Sequence, residues 1–202
     1  MKNIFLQSFI FTLLCTGSLQ AQIDTDISNP AAVKRLDLTN NKVDISTIDF
    51  SKFINLEYLS LKNDHLTVLP KELFLLKNLK TLDLSGNDLK VLPKEFSKLK
   101  KLEALYLNDE NSMDLTASLT VLAKLPKLKS LFLENDNITF IPKEMFKLQN
   151  LEYLSLRKNE LKEIPTNMNS LSHLKSLDLN ENNIAPDSIE LKNLNFGFKI
   201  NF

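Results

Sequence analysis

One pattern governs what this chain can fold into. A six-residue segment with apolar first, fourth and sixth places recurs seven times, beginning at Val33, Leu56, Leu79, Leu102, Leu128, Leu151 and Leu174. Successive starts are 23, 23, 23, 26, 23 and 23 residues apart. Two pairs are near copies: Leu56-Glu57-Tyr58-Leu59-Ser60-Leu61 returns as Leu151-Glu152-Tyr153-Leu154-Ser155-Leu156, and Leu79-Lys80-Thr81-Leu82-Asp83-Leu84 as Leu174-Lys175-Ser176-Leu177-Asp178-Leu179. Self-similarity at a fixed period of this length marks an architecture of stacked supersecondary units.

The spacing inside each unit says what the units are. Apolar places 4 and 6 alternate with largely polar places 3, 5 and 7, the period of a half-buried strand. An aliphatic-proline pair follows at Leu69-Pro70, Leu92-Pro93, Ile141-Pro142 and Ile164-Pro165. Proline cannot donate to a β-ladder but suits the first turn of a helix. In three repeats it precedes Lys-Glu, and Glu72, Glu95 and Glu144 favour the positive end of such a helix. One repeat cannot bury its leucines alone, so the strands must stack in parallel, with the return segments outside, into a curved solenoid.

This pattern resembles the leucine-rich-repeat family, in the 23-residue form with Leu-Pro on the return path, over roughly residues 33 to 195. The resemblance implies an α/β horseshoe with a concave parallel sheet and short helices or 3-10 turns on the convex side. It also implies a role in protein recognition, and an exported protein of bacterial type.

At place 9 an Asn is expected, because its amide both donates to and accepts from the backbone at the bend after the strand. Asn41, Asn87, Asn159 and Asn182 fit, whereas Asp64, Glu110 and Asp136 do not, since an ionised carboxylate only accepts. Either the turn is locally rearranged or bridged by water, or these acids form a functional site.

Residues 1–21 read as a secretory leader. Lys2 precedes an apolar run from Ile4 to Cys15, and a polar stretch then ends at Ala21, which suits cleavage. The run is short for a membrane span. A retained anchor and lipidation of Cys15 are the alternatives, the latter opposed by bulky Leu14, where lipoprotein processing takes a small residue. Cleavage after Ala21 removes Cys15, the single cysteine, and with it disulfide and thiol chemistry. Residues 22–32 would then be a short N-terminal cap that includes Ala31 and Ala32, and 33–195 the repeats. Residues 196–202, where Phe196, Phe198, Ile200 and Phe202 alternate with other residues, would be a closing strand, with a docking tail as the other reading.

Lys+Arg and Asp+Glu balance at 25 each, leaving no basic excess for a nucleic acid or an anionic membrane. His65 and His173 lie four repeats apart, roughly 19 Å at the spacing of sheet strands, so they cannot share a metal ion. No phosphate loop, dinucleotide fingerprint or hydrolase motif occurs. The sequence implies no cofactor, no metal and no enzyme.

The sheet face can be read column by column. Place 2 runs Lys34, Glu57, Lys80, Glu103, Lys129, Glu152, Lys175, alternating in sign as a register-supporting ladder would. Place 5 runs Asp37, Ser60, Asp83, Tyr106, Phe132, Ser155, Asp178. Tyr106 and Phe132 should lie side by side, with Tyr153 diagonally beyond. Asp109, which directly follows the Tyr106 strand, and Glu134 and Arg157 at place 7 would form the rim. An exposed aromatic cluster ringed by charge has the composition of a binding hot spot, although cross-strand pairing that merely stabilises the sheet would look the same. The repeat over residues 102–127 carries the extra length, and Leu115, Leu119 and Leu122 recur there at helical spacing. The expectation is an exported module, periplasmic, secreted or at the cell surface, with no transmembrane helix after leader removal, that recognises a protein or peptide. Carbohydrate binding and a purely structural envelope role are the alternatives.

Overall fold

The computed structural model describes residues 29–40, 45–185 and 197–202. The expected leader with Cys15, residues 22–28 of the expected cap, Asn41, and residues 186–196, which hold the end of the expected repeats and Phe196, lie outside the described residues.

Eight three-residue strands form one open sheet in chain order: β1 (Arg35–Asp37), β2 (Tyr58–Ser60), β3 (Thr81–Asp83), β4 (Ala104–Tyr106), β5 (Ser130–Phe132), β6 (Tyr153–Ser155), β7 (Ser176–Asp178) and β8 (Lys199–Asn201). Every neighbouring pair is parallel, and place 4 of each repeat aligns with place 4 of the next, from Leu36 against Leu59 to Leu177 against Ile200. The last strand therefore continues the repeat register beyond the seventh repeat.

The strands are short because the chain must turn after place 6 to bring its return segment over the core. Place 8 makes that turn in a left-handed conformation in all seven repeats, with φ of 56° at Asn40, 58° at Asn63, 68° at Gly86, 62° at Asp109, 59° at Asn135, 58° at Lys158 and 58° at Glu181. Asn, Gly and Asp tolerate this region best, and five of the seven positions hold one of them.

On the return path the prolines stand one residue ahead of 3-10 helices at Lys71–Leu75, Lys94–Lys98, Lys143–Lys147 and Thr166–Ser170. The long repeat differs, as its leucine spacing suggests, because α1 (Leu115–Leu122) replaces the 3-10 helix. Asp114 caps α1 by accepting from Ala117 N at 2.9 Å. Leu119 and Leu122 are fully buried, and Ser118, also buried, accepts from Leu92 N at 3.1 Å.

The core is one continuous column. Places 1, 4 and 6 are all buried, for example Leu79, Leu82 and Leu84, and Phe50, Leu73, Phe96, Met145 and Met168 close it from the return side. Each fully buried leucine contributes about 1.5–3 kcal/mol, which a single repeat could not obtain alone. At the N-terminal end, Pro30–Ala32 form a 3-10 turn held by Asn55 Nδ2, which donates to Ala31 O at 2.9 Å.

Candidate functional site

Register puts the aromatic residues together. Place 5 of β4 faces place 5 of β5, so Tyr106 is paired with Phe132. Their rings stack face on face, with centroids 4.2 Å apart and planes 3° from parallel. Both are half-buried, and Asp83 and Ser155 flank the pair in the same row. Burial, and then the charges of Asp83 and Glu134 among its neighbours, raise the Tyr106 hydroxyl above the usual tyrosine pKa.

Tyr153 is 46% exposed and sits at place 3 of β6, in register with Ser130, hence diagonal to Phe132. It flanks the stack without joining it.

The three charged residues expected at the rim are each held by a local partner. Asp109 is exposed in the left-handed turn and accepts from Asn135 Nδ2 at 2.5 Å. Glu134 accepts from Ser155 Oγ at 2.7 Å. The Arg157 guanidinium reaches towards β7 to pair with Glu181, using both Nε and Nη2.

The structure adds two features to this face. The Arg35 guanidinium lies 3.4 Å above the centre of the Tyr58 ring, a cation–π contact between neighbouring strands. Asp83, which shares its row with the aromatic pair, acts electrostatically on Tyr106. The place 5 column contained that second signal, since Asp83 precedes Tyr106 in it.

The charge column at place 2 is organised around two acids. Glu57 lies between Lys34 at 3.9 Å and Lys80 at 2.6 Å. Glu152 lies between Lys129 at 3.0 Å and Lys175. Hydrogen bonds from Lys175 and Lys129 pull the Glu152 carboxyl down to about 2. Among the described residues Glu103 has no ion pair within 4 Å, so the alternation seen in sequence becomes two clusters.

Beneath the turns, place 9 forms a second ladder. Asn87 Oδ1 accepts from Asp64 N at 3.2 Å and Leu66 N at 2.9 Å, and its amide donates to Leu61 O and Leu84 O. Asn159 does the same with Asp136 N, Ile138 N, Leu133 O and Leu156 O.

Two of the acids that break the Asn rule, Glu110 and Asp136, sit in this ladder and perform its accepting half. Glu110, only 3% exposed, takes the N–H of Asn87 on Oε1 at 2.8 Å and that of Leu89 on Oε2 at 3.0 Å. Its extra methylene spreads two oxygens over two donors that an Asn serves with one. Asp136 Oδ1 accepts from Glu110 N at 2.6 Å, while Oδ2 is buried without a hydrogen bond. Both carboxyls border a cavity of about 20 Å³ among Leu107, Met113, Leu115, Leu133 and Ile138. Burial is the main reason each carboxyl is pushed up to about 7, against the pull of the N–H groups.

A parallel sheet of short strands closed by return segments, with an open row of side chains, defines a repeat solenoid. A family model described as a leucine-rich repeat region matches residues 14–125, and a second, leucine rich repeat, matches 126–184. The chain belongs to the leucine-rich-repeat family.

It is similar to internalin C2 of Listeria monocytogenes at 26% identity, covering 87% of this chain and 84% of that one with a TM-score of 0.64. A leucine-rich-repeat protein of Leptospira interrogans is also 26% identical, with a TM-score of 0.60 over 84% of this chain. This chain spans about half (49%) of that protein's length. A structure of the Drosophila Toll–Spätzle complex shares the fold at 23% identity and a TM-score of 0.61, over 74% of this chain and 20% of that one. No curated protein matches in sequence. Leucine-rich-repeat proteins in general mediate protein–protein interaction. No helix among the described residues is long and apolar enough to cross a membrane.

Proposed function

We propose that this chain is an exported recognition module that takes a protein or peptide on the sheet face, centred on Tyr106, Phe132 and Tyr153, with Asp109, Glu134 and Arg157 at the rim. The observation that carries the reading is the parallel Tyr106–Phe132 stack, half exposed in a row otherwise made of Asp, Ser and Asn. Rigid aromatic surface at the centre of a polar face is what a hot spot needs, because it offers apolar area at little cost in conformational freedom. The stack also stiffens the sheet, yet a stabilising role alone would be served as well by aliphatic pairs. Export is supported by the leader pattern of residues 1–21.

The test couples location to binding. Sequencing the mature N-terminus from the native host should show Gln22 as the first residue. Cross-linking the full chain to the host's exported and surface fractions should capture a protein partner. Tyr106→Ala and Phe132→Ala, introduced together, should weaken that capture by about 2 kcal/mol or more while the unfolding midpoint stays in the folded range. Equal affinity of wild type and double variant would place the site elsewhere, and capture of glycans alone would replace the protein partner with a carbohydrate.

A further inference from the structure

The chemistry of the partner can be read from the charge around the stack. Places 3 to 8 of the third, fourth and fifth repeats, residues 81–86, 104–109 and 130–135, contain Asp83, Asp109 and Glu134 and neither Lys nor Arg. None of these three carboxylates belongs to an ion pair among the described residues, although acids elsewhere on the face do, such as Glu57, Glu152 and Glu181. Cations flank this stretch on both sides, with Lys62 in the second repeat and Arg157 and Lys158 in the sixth. Arg157 is turned away to Glu181. The nearest place 2 cations, Lys80 and Lys129, are paired with Glu57 and Glu152, and Arg157 acts on Glu134 only at a distance, so the centre of the face is an aromatic pair beside three carboxylates, none of them in an ion pair among the described residues.

We propose that the partner segment seated on Tyr106 and Phe132 presents an arginine side chain, so that this face recognises a basic peptide or loop. The inference rests on the sheet-face reading above and deepens it. An aromatic face is the negative end of a ring quadrupole and attracts a cation placed over it. A guanidinium is planar and weakly hydrated, and it can lie on a ring while its N–H groups reach carboxylates at its edge. The same sheet already seats a guanidinium on a ring, Arg35 over Tyr58 between β1 and β2. An acidic or neutral ligand would instead bury Asp83, Asp109 and Glu134 without compensation, which costs free energy.

The charge can be removed without disturbing the fold. Asp83 accepts from Ser85 N at 2.9 Å, Asp109 from Asn135, and Glu134 from Ser155 Oγ, and an amide oxygen can take over each of these bonds. The triple variant Asp83→Asn, Asp109→Asn, Glu134→Gln is therefore a test of charge alone.

The probe is a random peptide library selected on the full chain, with the Phe132→Ala chain used in parallel to identify peptides that depend on the stack. The expected result is that these peptides carry arginine. Replacing that arginine by the neutral isostere citrulline should weaken binding about tenfold, and the triple amide variant should do the same, both losses shrinking at high salt. Stack-dependent peptides without a basic residue, or indifferent to citrulline and to the triple variant, would overturn this inference and leave the sheet-face site standing. If selected peptides bind the Phe132→Ala chain as well as wild type, the sheet-face site itself falls and this inference with it.

Discussion

The backbone N–H of Glu110 donates to Asp136 Oδ1 at 2.6 Å, so one buried acid of the turn ladder is held by the residue that supplies the other. Asn87 and Leu89 donate to Glu110 in turn, and Asn159 accepts from the backbone of Asp136. Two carboxyls thus interrupt a chain of amides that needs both a donor and an acceptor at every step.

Stability should consequently depend on pH through this pair. Their folded pKa values, about 7, exceed the ordinary 4.5 and 3.8, so between about pH 4 and pH 7 the folded state holds more protons than the unfolded. The contribution is complete at the acidic end of that window, falls as pH rises through about 7, and then levels off. For the coupled pair it amounts to something on the order of a few kcal/mol. Asp88, Asp109 and Glu134 face the pair and push in the same direction. Glu152 works oppositely at lower pH, since its depressed pKa yields stability that is lost as pH falls from about 4.5 towards about 2. Urea unfolding from pH 5 to pH 8 should show the decline, and the double variant Glu110→Asn, Asp136→Asn should abolish most of it. An unchanged slope in that variant would mean that other groups titrate.

Asn159 occupies the same ladder with all four of its principal bonds made, and it is 6% exposed. Truncation to Ala takes the acceptor from Asp136 N and Ile138 N and the donor from Leu133 O under the turn, while Leu156 O keeps Asn182 Nδ2 at 2.8 Å. Asn159→Ala should cost about 3 kcal/mol, measured by chemical denaturation, because buried unsatisfied groups cost roughly 1–3 kcal/mol each and partial relaxation recovers some of that. A loss below about 1 kcal/mol would show that water replaces the amide readily.

Lys158 holds a left-handed φ of 58° on an exposed turn, where a side chain with a Cβ is strained. Lys158→Gly should therefore stabilise the protein, by up to about 1 kcal/mol after the greater freedom of glycine in the unfolded chain is counted. At Gly86, φ 68°, a Cβ would also come within 1.9 Å of Asn63 Oδ1. Gly86→Ala should lower the thermal midpoint while Lys158→Gly raises it. The same sign at both positions would contradict the argument.

The place 2 ladder predicts a salt-dependent effect. Lys80 is one of two cations on Glu57, at 2.6 Å, and stands next to Glu103 in the column. Lys80→Glu would align three acids and should lower the denaturation midpoint slightly at low salt and less at high salt, because these groups are exposed and screened. A midpoint that does not move at low salt would show that the ladder contributes nothing to stability.

The sequence alone determined the solenoid, the strand positions, the buried leucines and the helix in the long repeat. These follow from periodicity, a local property repeated often enough that each repeat confirms the next: Leu36, Leu82 and Leu154 are buried for one reason. It also determined that Tyr106 and Phe132 are neighbours, because a parallel register carries place 5 onto place 5. Only the tertiary structure decided where flexible charged side chains go. Arg157 turns to Glu181 rather than to the aromatic stack, Arg35 lies over Tyr58, and Glu103 has no ion pair among the described residues. Nor could spacing foretell that Glu110 would use two oxygens where Asn uses one, while Asp136 keeps one oxygen without a partner. Those outcomes depend on the length of a side chain, the donors within its reach and the water it loses on burial, and these exist only once the repeats have stacked.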